Sequence, residues 1–321
     1  MADRTNSRQV LGCDVSKDSV TIFDSLSGRL QEVDNEPKAL RRVLAELLPG
    51  PAADSLLVCE ATGGYEARLL SAAWQAGLPA HRADPRKASN FARSLRSHGK
   101  TDSIDAQGLA RYGLERADSL PLWQPPTPRQ QALRDLVRLR AGLANTHADY
   151  ARRLKAPGEG PHKRHIQATL EDLARRIQDL EAEIDSLIAQ DNTLVERFEV
   201  VCAIPGCGRK TAIVLLALMP ELGQLSRRQA AALAGYAPHP DDTGKHNGYR
   251  RVRGGRPQIK TALFMAALAA SRYHPELSAH YQHLLAQGKK KLVALTAIAR
   301  KLITIINAKI RDASYTREQL C

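Results

Sequence analysis

The stretch VLGCDVSKDSVTIFDS, residues 10–25, decides the fold. Its two halves, 10–16 and 19–25, are rich in apolar and β-branched residues and are separated by a short polar break, which is typical of two consecutive strands. Asp14 lies in the first of these strands among apolar neighbours. An acid in a central strand is costly unless it is paired or bound to a metal. Asp14 is therefore the first candidate for a functional residue.

Residues 29–116 continue as alternating strand and helix patterns. Short apolar runs bounded by turn residues predict strands, and apolar residues at helical spacing predict helices. The order, a hairpin followed by β-α-β-α, predicts a mixed α/β sheet. We expect strands at 29–35, 55–61 and 78–84, and helices at 37–48, 63–77, 85–96 and 101–116.

The rest of the chain is predicted to be mainly helical. LPLWQPPTP, residues 120–128, interrupts the α/β pattern and is typical of a linker. A heptad seam in the second of two long helices predicts either an intramolecular coiled-coil hairpin or an oligomerising coiled coil. We expect an α/β domain at 1–120, a helical coiled-coil region at 121–194 and a basic helical domain at 195–321. The seam comprises Ile166, Leu170, Leu173, Ile177, Leu180, Ile184 and Leu187.

Composition narrows the function classes. The net charge of +13 lies entirely in residues 200–321, because basic and acidic residues cancel before that point. Such a basic region indicates nucleic acid as a partner. No apolar run is long enough to span a bilayer, and the five cysteines form no disulfide framework. We therefore expect a cytoplasmic protein without a membrane partner, in which Cys13 and Cys59 face a core.

Three further acids accompany Asp14. Glu60 closes the apolar run LLVCE, and Asp102 and Asp105 lie three residues apart at the head of a predicted helix, hence on one face. Acids at a helix start are common, because they cap the helix and interact favourably with the positive end of its dipole. The alternative is a divalent metal, since hard carboxylate oxygens suit Mg²⁺. Two Mg²⁺ ions about 3.5–4 Å apart would clamp the attacking and leaving oxygens of a phosphodiester.

Two basic stretches in the last third indicate phosphate contacts. AIPGCGRKTA, residues 203–212, is typical of a helix-hairpin-helix turn whose backbone N–H groups hold a phosphate. From Thr243 to Pro275 there is no acid, and the glycines there allow close approach to a phosphate backbone. The candidate nucleic-acid-binding residues are Gly206, Gly208, Arg209, Lys210, Lys245, Arg250, Arg251, Arg253, Arg256 and Lys260.

These motifs together resemble a known family. GCDVSKD (12–18), CEATGGYE (59–66), DPRKASNFARS (84–94) and KTDSIDAQGLARYG (100–113) are similar to a ribonuclease-H-like, RuvC-like domain with a D-E-D-D set. The whole chain resembles the DEDD transposases of bacterial insertion sequences, the insertion-sequence one-ten family, which are related to the Piv-type DNA invertases. The resemblance implies Mg²⁺-dependent cleavage and exchange of DNA strands. It also implies Asp14, Glu60, Asp102 and Asp105 as the metal ligands.

The resemblance carries further expectations and one departure. The family has a nucleophilic serine in a D-S-G-K stretch, where this chain has DTGK at 242–245, so Thr243 takes the serine's position. A covalent link between this hydroxyl and a DNA phosphate is implied. A bridge RNA as guide and a homo-oligomer, a dimer or a tetramer, are implied as partners.

Two alternatives stay open at this point. One is a Holliday-junction-type nuclease that uses metal-bound water and has no need of Thr243. The other is a catalytically silent scaffold that binds nucleic acid.

Overall fold

The computed structural model describes residues 8–48, 50, 52–95, 102–239, 242–243, 246–247 and 251–320. Two compact units divide the chain, residues 1–126 and residues 127–321. Within the described residues, no helix is both long and apolar enough to cross a membrane.

The first unit is built on a five-stranded sheet. Its strand order is β3-β2-β1-β4-β5, with β1 antiparallel to β2, β2 antiparallel to β3, and β1, β4 and β5 parallel. The strands are β1 Val10–Val15, β2 Ser19–Asp24, β3 Leu30–Asp34, β4 Leu56–Glu60 and β5 Ala80–Ala83. The predicted hairpin and the mixed α/β sheet are confirmed.

Helices cover both faces of this sheet. One face packs Leu11, Cys13 and Ile22 into a core with residues of α1 and α2. The other packs Val10 and Val58 into a second core with residues of α3 and α4. Such two-sided cover is what strands that are apolar on both faces require. The helices are α1 Pro37–Leu47, α2 Ala67–Gln75, α3 Pro85–Leu95 and α4 Asp102–Arg116.

Helix α2 begins later than the sequence predicts. We expected helix from residue 63, but the structure starts it at Ala67. Gly63 and Gly64 have φ of +77° and +115°, conformations that a right-handed helix does not contain. The two glycines instead shape a loop between β4 and α2.

The second unit is mostly helical. Its helices are α5 Pro128–Leu154, α6 His162–Ala189, α7 Asn192–Cys202, α8 Arg209–Leu218, α9 Arg227–Leu233, α10 Pro257–Tyr273, α11 Pro275–Ala286 and α12 Lys291–Leu320. Helices α5 and α6 pack along each other, and the seam positions of α6 are buried or half-buried. This pairing is compatible with the predicted hairpin, and oligomerisation through the seam stays a prediction.

Two short antiparallel ladders interrupt the helices of the second unit. Strands β6 (Pro238–His239) and β9 (Arg251–Val252) pair with each other, as do β7 (Asp242–Thr243) and β8 (His246–Asn247). One apolar core joins residues of α5 to α12. The structure thus confirms the mainly helical character of this region, while the finer division at residues 194 and 195 stays a prediction.

Candidate active site

The register of two parallel strands brings Asp14 and Glu60 side by side. Cys13 of β1 lies opposite Cys59 of β4, so the residues that follow them occupy the same level on neighbouring strands. Adjacent strands lie about 4.8 Å apart. Alternation puts both acids on the face that carries Val10 and Val58. We call this side of the sheet, at the ends of β1 and β4, the acidic face.

Helix α4 crosses the same face at unusually close range. A Cβ atom on Gly12 would lie 2.1 Å from the carbonyl oxygen of Ala106, and one on Gly113 would lie 2.6 Å from Cγ1 of Val10. Two glycines, one in the strand and one in the helix, therefore permit the contact. Since Gly113 lies over Val10 and Ala106 over Gly12, the helix runs opposite to β1, and its first turn extends toward Asp14.

That first turn begins with Asp102 and contains Asp105. Asp105 is half-buried, as are Asp14 and Glu60. The side chain of Asp102 lies outside the described residues, although its backbone belongs to the helix. The structure thus places Asp14 and Glu60 at one end of the sheet and directs the start of the crossing helix, which contains Asp102 and Asp105, toward the same end.

The opposite face of the same strands is apolar and holds two thiols. Cys13 and Cys59 are buried and form no disulfide. Burial raises the pKa of Cys13 well above its ordinary value, with further contributions from Cys59 and Asp14. Burial, followed by the charge of Glu66, raises the pKa of Cys59 to about 12, against the opposing effect of Arg82. Both cysteines are therefore neutral core residues at pH 7, as the sequence predicts.

Among the side chains that the structure describes, no three from His, Cys, Asp and Glu form a group close enough to hold a metal ion. Asp102 is not part of that set. The assignment of the four acids as metal ligands accordingly stays a prediction.

Glu66 organises the loop beside Glu60, and sequence reasoning did not single it out. Its carboxylate accepts hydrogen bonds from the backbone N–H groups of Thr62 (3.1 Å) and Gly64 (2.8 Å) and from Nε of Arg82 (2.7 Å). The side chain is only 2% exposed. Burial alone would raise the pKa of Glu66, but these N–H donors and the Arg82 charge hold it below its ordinary value. The carboxylate thus fixes the positive-φ glycines of the loop.

Asn35 is a second residue that the sequence analysis missed. Its Nδ2 donates to the carbonyl oxygens of Ser16 (3.0 Å) and Tyr65 (3.1 Å). Ser16 follows the strand of Asp14, and Tyr65 belongs to the loop after Glu60. Asn35 is 1% exposed. It therefore ties together the two loops that border the acidic face.

Thr243 lies in the second unit, on β7, where it pairs with His246. Its side chain lies outside the described residues, as do Lys245 and Arg250 entirely. In sequence, the β7–β8 pair lies between the two strands of the β6–β9 pair. Beneath that pair, a Cβ on Gly255 would lie 2.2 Å from the backbone nitrogen of Gly235, and both glycines have positive φ.

The predicted phosphate-binding residues differ in their surroundings. Arg209 forms an ion pair with Asp185 (2.5 Å), and Arg256 forms one with Glu221 (2.6 Å). Gly206 packs against Ala270, where a Cβ atom would lie 2.6 Å from the backbone nitrogen. These contacts give all three positions a role inside the fold.

The remaining members of the set are more accessible. Lys260 is half-buried, with Nζ 6.0 Å from the ring centroid of Tyr236. Gly208, Lys210, Arg251 and Arg253 are exposed. Lys210, Arg251 and Arg253 have no ion-pair partner in the part of the chain that the structure describes. A role in nucleic-acid binding stays a prediction for the whole set.

The sheet order, the antiparallel second strand and the acids on the two central parallel strands define a ribonuclease-H-like, RuvC-like domain. Comparison with known proteins agrees. A model of DEDD transposases of the IS110 type matches residues 11–157, and a model described as "Transposase IS116/IS110/IS902 family" matches residues 199–282.

Individual relatives extend this match. A pilin gene-inverting protein of Moraxella lacunata is 30% identical over 265 residues, which are 80% of this chain and 80% of that protein. An uncharacterized 43.6 kDa protein of the insertion element IS110 from Streptomyces coelicolor is 29% identical over 169 residues, 51% of this chain and 41% of its own length. A solved T. thermophilus RuvC in complex with a Holliday junction substrate covers 36% of this chain and 99% of its own, with 13% identity and a TM-score of 0.28. The chain belongs to the IS110 family of transposases and is a transposase or DNA recombinase.

Proposed function

We propose that this chain moves an insertion sequence by Mg²⁺-dependent cleavage and rejoining of DNA strands through a covalent bond to Thr243, guided by a bridge RNA. The observation that carries the proposal is the placement of Asp14 and Glu60 at one level of the acidic face, beneath the first turn of α4. Carboxylates that lie close together at one end of a sheet attract cations.

The donor chemistry fits magnesium. Carboxylate oxygens are the hard ligands that Mg²⁺ takes in proteins, and the residues that would hold it are Asp14, Glu60, Asp105 and Asp102. Bound Mg²⁺, as two ions, would stabilise the negative charge that develops on a phosphate under attack. Residues of the chain itself support these ligands. Gly12 allows α4 to lie close to the sheet, and Asn35 and Glu66 hold the adjoining loops through hydrogen bonds.

The proposed covalent step uses the hydroxyl of Thr243. Its oxygen forms a bond to phosphorus as its proton leaves, and the bond from phosphorus to the outgoing strand breaks, so that the outgoing oxygen takes up a proton. A hydroxyl of the second strand then attacks the same phosphorus and releases the threonine. No net phosphodiester bond is lost in the exchange. The branched Cβ of threonine restricts χ1, so the attack is expected to be slower than with serine.

Charge supports nucleic acid as the partner. The excess of basic residues in 200–321 matches a phosphate backbone, whose binding weakens steeply with salt. DNA is the substrate in this proposal, and base pairing with the bridge RNA supplies the sequence specificity. A homo-oligomer, assembled through the α6 seam, would bring Thr243 of one copy to the acids of the same or another copy.

The test is a search for protein covalently attached to nicked DNA, in Mg²⁺ with the element's ends and guide RNA supplied. We expect a denaturation-resistant adduct with the natural chain, more adduct per unit time with Thr243→Ser, and none with Thr243→Ala or Asp14→Asn. Recombinant DNA formed by Thr243→Ala would overturn the nucleophile assignment. Strand cleavage without adduct or rejoining would favour a hydrolytic junction nuclease, and no cleavage by any version would favour a scaffold.

A further inference from the structure

A basic cavity opens on the second unit, lined by residues that the sequence analysis did not single out. Its volume is about 450 Å³, which is in the range of small-molecule sites. Helix α9, the β6–β9 ladder, α11 and α12 all contribute to its wall. We define the basic cavity by the residues Arg227, Arg228, Tyr236, Pro238, Val252, His280, Val293, Thr296, Ala297, Arg300, Lys301 and Thr304.

Four cationic side chains lie around the cavity without an acidic side chain in its lining. Arg227 and Arg228 come from α9, and Arg300 and Lys301 come from α12; all four are exposed. No acid lines the cavity, and none of the four has an ion-pair partner among the described residues. Arg209 and Arg256 of the same unit are, by contrast, each paired with an acid. Four free cations around one opening form a site for an anion.

The wall between these cations is largely apolar. Val252, Val293 and Ala297 line it. The hydroxyls of the two lining threonines, Thr296 and Thr304, already donate to helix carbonyls at 2.8 and 2.7 Å. Apart from the cations and the imidazole of His280, few polar side-chain donors are therefore left in the wall. An apolar wall with a basic rim matches a molecule that has a flat apolar part and a phosphate.

Tyr236 contributes an aromatic ring that is fixed in place. It is 2% exposed, and its hydroxyl donates to the carbonyl oxygen of Lys260 at 2.7 Å. Burial raises the pKa of Tyr236 to about 12, so the ring is neutral at pH 7. The ring therefore contributes a fixed, mostly buried apolar contact to the cavity wall.

The cavity also lies close to Thr243 along the chain. Pro238 and Val252, which pair in the β6–β9 ladder, both line the cavity. Thr243 follows Pro238 by five residues, a length of chain that spans at most about 18 Å. The proposed nucleophile is therefore joined to the wall of the cavity by a short length of chain.

We propose that the basic cavity binds one unpaired nucleotide, with the base against the apolar wall and the phosphate on the basic rim. A base still paired in a duplex cannot enter a cavity of this size, so the site takes a nucleotide that has been unstacked. The proposal rests on the proposed function, in which strands separate before they are exchanged. It identifies an unpaired nucleotide of the separated strand as the part that the second unit binds.

The test measures binding of fluorescent single strands of about ten nucleotides, without Mg²⁺, to the full-length chain. The probes are oligothymidylate, oligouridylate and an abasic deoxyribose-phosphate strand of equal length. Three versions are compared with the natural chain: Ala297→Leu, which fills the cavity and leaves the charge; Arg300→Gln with Lys301→Gln, which removes rim charges; and Arg272→Gln with Lys309→Gln, a control that removes two exposed charges elsewhere in the unit. Denaturation curves establish that each version is folded.

We expect the natural chain to prefer the base-containing strands over the abasic strand by about tenfold. Ala297→Leu removes this preference and leaves abasic binding unchanged. The rim variant lowers the slope of log affinity against log salt by about 1.4, because two single-strand phosphate contacts are lost, and the control pair lowers it by less. The stronger of the two base-containing probes identifies DNA or RNA as the source of the nucleotide.

Unchanged base preference in Ala297→Leu, or equal slopes for the rim and control pairs, would overturn the proposal and leave only a generally basic surface. This outcome is distinguishable from failure of the proposed function, because the binding test needs neither Mg²⁺ nor Thr243. If the natural chain forms covalent adducts but Ala297→Leu binds single strands as the natural chain does, only the proposal for the cavity is refuted. Base-specific binding without any adduct refutes the proposed strand exchange alone.

Discussion

The acidic face of the first unit and the basic stretches of the second differ in what holds their charged side chains. Asp14 and Glu60 are placed by backbone: a parallel register of β1 with β4, and a helix that touches the sheet through Gly12. The basic residues of the second unit extend from helix ends and short ladders, and some of them are neutralised by acids while others are not. Charges fixed by backbone suit chemistry at a defined point, whereas charges on exposed side chains suit a polyanion of variable path.

The largest predicted effect comes from disrupting the close contact between β1 and α4. Gly12→Ala places a Cβ atom 2.1 Å from the Ala106 carbonyl oxygen, and backbone atoms cannot yield as a flexible side chain can. We expect a loss of about 3 kcal/mol in the free energy of unfolding, or more, and a loss of strand cleavage because the first turn of α4 is displaced. Urea denaturation and the cleavage assay measure the two effects.

Gly142→Ala is the matched control. Gly142 lies within α5 and has nothing within 4 Å of a Cβ position, so alanine there is expected to stabilise the chain by about 0.5–1 kcal/mol. Equal stability of the Gly12→Ala chain and the natural chain would show that α4 adapts without loss, and that backbone contact does not fix the acidic face.

The second prediction concerns the loop beside Glu60. Glu66→Gln weakens the bonds to the Thr62 and Gly64 N–H groups and to Arg82, and we expect it to lower the free energy of unfolding by about 2 kcal/mol at pH 7. The pKa of Glu66 is lowered in the folded chain, so its stabilising effect is present above the ordinary glutamate pKa of about 4.3. That effect is lost as the pH falls through the lower, folded value.

The difference in stability between the natural chain and Glu66→Gln should therefore be constant near neutral pH and shrink below about pH 4.3. Urea denaturation at a series of pH values measures it. Glu46→Gln is the control, because Glu46 is exposed and its ion pair in the described part of the chain is with Arg42 of the same helix. It should change stability by less than about 0.5 kcal/mol. A pH-independent difference for Glu66→Gln would mean that the charge of this carboxylate is not what holds the loop.

Much of the first unit could be predicted from sequence because its signals are local. Strand alternation predicts that Asp14 and Cys13 point to opposite faces of the sheet, as do Glu60 and Cys59. The division of the strand residues between two cores agrees with this prediction. The parallel pairing of β1 with β4 is long-range, so their register had to come from the structure. The close approach of α4 depends on Gly12 meeting Ala106, a pair that no local pattern connects.

The residues that were missed share a physical reason. Asn35 and Glu66 are polar residues near loops, and nothing local indicates that they are almost fully buried. Their importance lies in the backbone groups that they bind, which are distant in sequence in the case of Asn35. The basic cavity was missed for a related reason, since its cations come from α9 and α12, which are far apart in sequence.

The last prediction concerns two cations of the second unit: Arg256, which pairs with an acid, and Lys210, which has no ion-pair partner among the described residues. Arg256→Gln loses the ion pair with Glu221 and a hydrogen bond to the Leu218 carbonyl oxygen, so we expect about 1 kcal/mol less stability and little change in the salt dependence of DNA binding. Lys210→Gln loses an exposed cation, so stability is unchanged and the slope of log affinity against log salt falls by about 0.9 on duplex DNA. Equal changes of slope for the two variants would show that Arg256 leaves its partner to bind phosphate. Charge alone, and not the ion pairs seen in the fold, would then decide which residues of this unit contact nucleic acid.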